Sequence, residues 1–138
     1  MSADLRTVFI SYRRDVLWAS AQLIRKELLA HGFDVFMDVT DIDSGNFRAR
    51  VLAEIETRYH FIVLLDRLSL VQATQPNDWL RCEIAHALAH SRNIVPVILG
   101  GLELDDELAL PPDIAALAAY NQLHVAHDYF DAAMDRLR

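Results

Sequence analysis

Apolar residues along the chain fall into short continuous runs, separated by longer stretches in which they recur at helical spacing. Five runs rich in branched and aromatic residues predict β-strands. They are Thr7–Tyr12, Asp34–Met37, His60–Leu65, Ile94–Leu99 and Asn121–Val125. The third run is apolar nearly throughout, which is typical of a parallel strand that is buried on both faces.

The stretches between these runs predict helices that each bury one apolar stripe. In the first helix, from about Val16 to His31, the stripe consists of Leu17, Ala21, Ile24 and Leu28. Asp15 is expected to cap its start and Gly32 to end it. The other expected helices run from Phe47 to about Tyr59, from Asp78 to Ser91, over Ile114–Ala118 and onward from His127, with a partly helical connection over Arg67–Asn77.

The alternation of strand and helix predicts an α/β fold with helices on both faces of the sheet. Five strands in this pattern favour a flavodoxin-like parallel sheet in the order 2-1-3-4-5, joined by right-handed crossovers. The length of 138 residues fits one domain that covers residues 1–138. Ligands of such sheets bind beyond the carboxyl ends of the first and third strands, so the residues after Tyr12 and the loop Asp38–Asn46 are the first candidates.

Composition narrows the class of protein. The 13 basic and 20 acidic residues give a formal net charge of −7, which argues against nucleic acid or an anionic membrane as the main partner. There is no apolar run long enough to span a membrane and no secretory signal at the N-terminus. The single cysteine, Cys82, excludes an internal disulfide, so a cytoplasmic location is expected. The abrupt end at Arg138, within the last helix, suggests that a further domain follows.

The chain lacks the motifs of three classes of nucleotide- or phosphate-handling proteins. No G-x-G-x-x-G follows the first strand and no P-loop occurs, which argues against a dehydrogenase or an NTPase. A phospho-receiver domain would share the strand order, and Asp66 ends the third strand as its acceptor would. However, no carboxylate pair follows the first strand, and the only lysine, Lys26, lies in the first helix.

Five segments in succession span nearly the whole chain. They are FISYRRD (Phe9–Asp15), FMDVTDIDSGNF (Phe36–Phe47), FIVLLD (Phe61–Asp66), DWLRCEI (Asp78–Ile84) and NIVPVIL (Asn93–Leu99). Together they resemble the successive boxes of a Toll/interleukin-1 receptor (TIR) domain. The similarity is strongest to the NAD-cleaving branch, which includes the animal axon-degeneration NADase and bacterial defence proteins. In that branch a tryptophan precedes a glutamate by four residues in the helix after the third strand. Trp79 and Glu83 match this pattern.

The resemblance implies an NAD+ glycohydrolase that acts in immune or cell-death signalling and releases nicotinamide with ADP-ribose or a cyclic ADP-ribose. Because the nicotinamide ring departs neutral, one carboxylate can suffice where most sugar hydrolases need two. Glu83 is the catalytic candidate, able to stabilise positive charge on the ribose. The alternative is an ordinary exposed carboxylate on a helix.

Four further residues are expected to bind substrate near the first strand and the Glu83 helix. Arg13 and Arg14 match the pyrophosphate oxygens of NAD+, although both could simply be solvated. Tyr12 could stack on a ring or pack into the core. Trp79 precedes Glu83 by four residues, on the same helix face.

The segment Asp38–Phe47 is longer than the two to six residues usual for such a connection. The resemblance implies that this segment covers the site and contacts other TIR copies. Its substrate-binding candidates are Asp38, Asp43, Gly45 and Phe47. Gly45 could serve backbone geometry alone, and Phe47 could belong to the core.

The helix that carries Glu83 also contains two histidines and a cysteine whose roles need to be considered. His86 and His90 are spaced i, i+4, as metal ligands on a helix can be, but no third ligand is evident, so no metal is expected. No cofactor is expected either, because the resemblance implies that NAD+ is the substrate. Cys82 is expected to be a buried or partly buried, inert thiol.

The rival function is a TIR scaffold without catalysis that signals by homotypic self-association.

Overall fold

A computed structural model describes residues 5–37, 45–75, 78–99, 111–120 and 123–125, without the side chains of 14–16, 45–48, 118, 119 and 123–125. The strands are β1 (Thr7–Ser11), β2 (Asp34–Met37), β3 (His60–Leu65), β4 (Asn93–Leu99) and β5 (Leu123–Val125). The helices are α1 (Arg14–Ala30), α2 (Gly45–Thr57), α3 (Arg67–Gln72), α4 (Trp79–Ala89) and a 3-10 helix, Ala115–Ala119.

The five strands form one parallel sheet in the order β2-β1-β3-β4-β5, which confirms the predicted α/β fold. Phe9 of β1 is in register with Phe36 of β2 and Phe61 of β3. Its ring stacks on both, with centroids 5.3 Å and 5.5 Å away. Such stacked rings add to the burial energy, so this trio fixes the register at the centre of the sheet.

Alternation along β1 divides the core into two layers. Val8 and Ile10 face α1, whose predicted stripe from Leu17 to Leu28 is buried against them. Phe9 faces the other side, where residues of α2 and α4 pack, among them Ile55 and Ile84. The site-bearing helix α4 therefore lies on the side of the sheet opposite α1.

The two ends of α1 differ in how well the sequence predicts them. Gly32 has a φ of +86° and follows the last turn, where Phe33 N–H bonds the Leu28 carbonyl, so the predicted glycine stop is confirmed. The predicted cap at Asp15 is wrong, because α1 already begins at Arg14. Acidic residues are favoured both at the cap and in the first turn, so an aspartate marks a helix start only approximately.

Helix α2 begins at Gly45, two residues before the predicted start at Phe47. Gly45 is therefore the first residue of a helix and not part of the preceding loop. The helix predicted after His127 lies outside the described residues. Within the described part of the chain, no helix has the length and apolar character needed to cross a membrane.

His60 at the start of β3 is held in a neutral form. Its Nε2 lies 2.9 Å from the Leu5 carbonyl, which can only accept, so Nδ1 is left to accept from the Asn93 side-chain amide at 2.8 Å. Burial lowers the pKa of His60, while the hydrogen bond to Leu5 acts in the opposite direction. The unfolded chain consequently takes up this proton at a higher pH than the folded chain does.

We therefore expect His60 to make the protein less stable as the pH falls below about 6.5, the ordinary histidine value. The thermal midpoint of His60→Gln should fall less between about pH 7 and pH 5 than that of the wild type. His31→Gln, which changes an exposed histidine of the α1 C-terminus, is the control. If wild type and His60→Gln lose equal stability over this window, the assignment is wrong.

Candidate active site

Glu83 lies on the buried face of α4, and its side chain is only 3% exposed. It shares this face with Leu80, Ile84 and Ala87, which pack into the core. The alternative of an ordinary solvated helix carboxylate is therefore wrong. A buried carboxylate is costly unless polar groups compensate it, so the burial of Glu83 marks it as a candidate for a functional role.

Ser11 provides one such group. Its hydroxyl donates a buried hydrogen bond of 2.9 Å to Oε1 of Glu83. Ser11 ends β1 and follows Phe9 by two residues, so the strand's alternation directs it towards α4. The bond places the carboxylate next to the carboxyl end of β1, where ligands of such sheets are expected to bind.

Sequence reasoning missed Ser11, because a serine that ends an apolar run is unremarkable alone. The signal was available in two facts together. Ser11 is the polar residue nearest the carboxyl end of the first strand, and it shares a strand face with the buried Phe9.

Trp79 lies one turn before Glu83 and is partly buried against the same apolar cluster. Its helix is started by Asp78, whose Oδ2 accepts a hydrogen bond from the Arg81 backbone N–H at 3.0 Å. The cap fixes where the first turn of α4 begins. It thereby determines the positions of Trp79 and Glu83 relative to β1.

Arg13 is bound within the protein. Its Nη2 lies 2.8 Å from Oδ1 of Asp78 and 3.5 Å from the Ser69 carbonyl, and its side chain is 19% exposed. The solvated alternative is therefore wrong for Arg13. The guanidinium joins the end of β1 to the helix cap of α4 and to α3, so both carboxylate oxygens of Asp78 are occupied.

Arg13→Ala is expected to lower stability by about 1–3 kcal/mol, because it leaves the poorly exposed Asp78 carboxylate without its cationic partner. The thermal midpoint should fall by several degrees, while Arg50→Ala, an exposed arginine of α2, should leave it unchanged. A double-mutant cycle with Asp78→Asn measures the coupling. A variant that keeps the wild-type midpoint but captures NAD+ poorly would show instead that Arg13 acts on substrate.

Tyr12 lies on the other side of the sheet from Glu83. It is 7% exposed and belongs to the apolar cluster beside α1. Its ring centroid is 6.4 Å from that of Trp18. This geometry favours the packing alternative for Tyr12 over a stacking role in the site.

The remaining predicted residues are less completely described. Arg14 is the first residue of α1, and Gly45 and Phe47 belong to the first turn of α2, without described side chains for Arg14 and Phe47. Asp38 and Asp43 lie outside the described residues. The structure thus brings Glu83, Trp79 and Arg13 together around the first half of α4 and adds Ser11.

Two other carboxylates near the site have structural roles. Asp66, the receiver-like candidate, caps α3 by accepting from the Ser69 N–H at 2.8 Å. Asp113 pairs with Arg81 at 3.0 Å, and the Arg81 hydrogen bond holds the pKa of the Asp113 carboxyl below its usual value. The Arg81–Asp113 pair connects α4 to the segment that precedes the 3-10 helix.

Cys82 is exposed, so the expectation of a buried or partly buried thiol is wrong. It directly precedes the buried Glu83, and consecutive helical residues point about 100° apart. The same rotation that buries the carboxylate therefore turns the thiol outward.

Comparison with known proteins places this geometry in context. The family model described as TIR domain matches residues 8–138. NAD(+) hydrolase tir-1 of Caenorhabditis elegans is 35% identical over 134 residues, which cover 94% of this chain and 14% of that protein. NAD(+) hydrolase sarm1 of Drosophila melanogaster is 33% identical over 133 residues, with 94% and 10% covered.

Among solved structures, a metazoan TIR-STING receptor from C. gigas in complex with 2′,3′-cGAMP superposes with a TM-score of 0.68 at 26% identity. The match covers 98% of this chain and 41% of the receptor. The chain therefore spans less than a fifth of the length of the two NAD(+) hydrolases and less than half of this receptor.

Proposed function

Because the chain belongs to the TIR domain family, we propose that it hydrolyses NAD+ at the bond between nicotinamide and ribose. The observation that carries the proposal is the buried Glu83 carboxylate, held by Ser11 at the carboxyl edge of the sheet. The two NAD(+) hydrolases that match most of the chain support the same activity.

Cleavage of this bond requires little from the protein beyond a negative charge held in a fixed position. When the bond to ribose breaks, its electron pair moves to the ring nitrogen of nicotinamide and cancels the positive charge there. Positive charge then develops on the sugar, and Glu83 is placed to stabilise it. Water adds to the sugar carbon and releases one proton, which gives nicotinamide and ADP-ribose.

A cyclic product would arise at the same step. If a hydroxyl or an adenine nitrogen of the same molecule captures the sugar before water does, the product is a cyclic ADP-ribose. Both outcomes need the carboxylate equally, so the choice between them depends on how the bound adenosine half is oriented. We propose Trp79, Arg14, Asp38, Asp43, Gly45 and Phe47 as the groups that bind and orient NAD+.

Purified protein incubated with NAD+ tests the activity directly. Chromatography should show nicotinamide accumulating together with ADP-ribose or a cyclic isomer. Nicotinamide release that does not exceed that of a buffer blank, at any protein concentration, would reject the enzyme and favour the scaffold that signals by self-association.

We further propose that catalysis is strengthened by assembly with other copies through residues 38–47. This long segment mixes Asp38, Asp41 and Asp43 with Ile42 and Phe47, so it can offer both charge and an apolar anchor. The alternative is that Ile42 folds back onto the domain's own core.

The assembly proposal predicts that the NADase rate per molecule rises across a hundredfold increase in protein concentration and also rises on crowding. Light scattering on the same samples should show larger particles wherever the rate per molecule is higher. A constant rate per molecule from a particle that stays monomeric throughout would reject assembly-dependent catalysis.

A further inference from the structure

Helices α2 and α4 bring three potential metal ligands together on the surface. His86 lies in the last turn of α4, His90 is the C-cap of that helix, and Glu56 reaches them from α2. Their ligand atoms all lie within 4.8 Å of one another, which makes this the one such group in the part of the chain that the structure describes. We propose that Glu56, His86 and His90 bind a divalent transition metal, with Zn²⁺ the best match.

The distances fit the coordination of zinc. Oε1 of Glu56 is 2.9 Å from Nε2 of His86 and 3.5 Å from Nε2 of His90. Tetrahedral bonds of about 2.0–2.2 Å place ligand atoms about 3.3–3.6 Å apart, which matches the distance to His90 and requires His86 to move away from Glu56 by about 0.4 Å or more. Two imidazoles and one carboxylate favour Zn²⁺, Cu²⁺ or Ni²⁺ over Mg²⁺ and Ca²⁺, which prefer oxygen.

The orientation of His90 adds a second, independent reason. Its Nδ1 lies 2.9 Å from the His86 carbonyl oxygen, which can only accept, so Nδ1 carries a hydrogen. In the neutral ring, Nε2 then directs a lone pair towards the Glu56 carboxylate, which is also an acceptor. A cation between them resolves this conflict, and metal-bound histidines commonly donate a hydrogen bond from the N–H of their other ring nitrogen to a backbone carbonyl in this way.

The position of the three residues suits an open site. Their side chains are 22–42% exposed, so a metal ion can enter from solvent and keep water in its fourth position. A bound ion would join α2 to the C-terminal end of α4, one to two turns beyond Glu83. Because the ion binds the folded chain, it would raise the thermal midpoint. The simpler rival is an ion pair between Glu56 and protonated histidine.

Zinc titration of the metal-stripped protein distinguishes the two. We expect calorimetry to give one Zn²⁺ per chain, and Zn²⁺ to raise the thermal midpoint until EDTA is added. His86→Gln and His90→Gln should each weaken Zn²⁺ binding by more than about tenfold, since each removes a direct ligand. Bound Co²⁺ should give the visible spectrum of a tetrahedral site without a thiolate band.

Two controls make the result specific. His31→Gln removes the histidine that caps the C-terminus of α1, 3.3 Å from Glu27, and should leave Zn²⁺ affinity unchanged. Cys82→Ser removes the exposed thiol one turn before His86 and should also leave it unchanged. Zn²⁺ binding that is undetectable, that persists in the His86→Gln, His90→Gln double variant, or that disappears in Cys82→Ser would overturn the proposal. Circular dichroism of each variant verifies the fold.

Discussion

Glu83→Gln should lower the rate of NAD+ cleavage by at least ~10²–10³-fold, the usual consequence of removing one preorganised electrostatic partner of the transition state. The substitution keeps the shape of the side chain and its capacity to hydrogen-bond Ser11, but it removes the negative charge. The buried position excludes water from one side of the carboxylate, which makes the charge more effective there.

The fold should tolerate this change, since an uncharged amide is easier to bury than a carboxylate. The thermal midpoint of Glu83→Gln should therefore equal or exceed that of the wild type. Glu27→Gln, at a partly exposed carboxylate of α1, is the matched control for loss of a single negative charge. Equal losses of activity in the two variants would show that net charge, and not the position of Glu83, is responsible.

Ser11→Ala should have the second-largest effect, a loss of roughly 10–100-fold in kcat. A hydrogen bond to a charged group contributes about 1.5–3 kcal/mol, and each 1.4 kcal/mol is a factor of ten in rate. Ser11 acts through Glu83, so it is a positioning residue.

Two comparisons separate this role from a merely structural one. Ser69→Ala removes another buried serine hydroxyl, one with no hydrogen-bond partner in the described part of the chain, and should leave kcat unchanged. In a Glu83→Gln background, Ser11→Ala should cost little further activity, because its target is already gone. Fully additive losses would show that Ser11 does not act through Glu83.

The sequence was most informative where burial within one element determines the structure. Continuous apolar runs predicted β2 and β3 with the bounds that the structure has, and helical spacing identified the buried stripe of α1. These patterns report which face of an element meets the core. They were less reliable at helix starts, as the two-residue shift to Gly45 shows, because several polar residues suit more than one position there.

Contacts between elements were the part that the sequence could not provide. Trp79 and Glu83 share one helix, so their spacing was visible, but the Ser11–Glu83 bond joins residues 72 positions apart. Likewise, Glu56 meets His86 only because α2 packs on α4, and Arg13 finds Asp78 only across the end of the sheet. Such partners depend on how the layers pack, which no local periodicity encodes.

The most direct test of the central claim, that Glu83 is the catalytic carboxylate of an NAD+ glycohydrolase, is a time course of nicotinamide release measured side by side for wild type and Glu83→Gln. Both proteins should be used at the same concentration, with matched circular dichroism spectra. The account predicts steady release by the wild type and release near the buffer blank by Glu83→Gln. A Glu83→Gln protein that retains a tenth or more of the wild-type rate would contradict it.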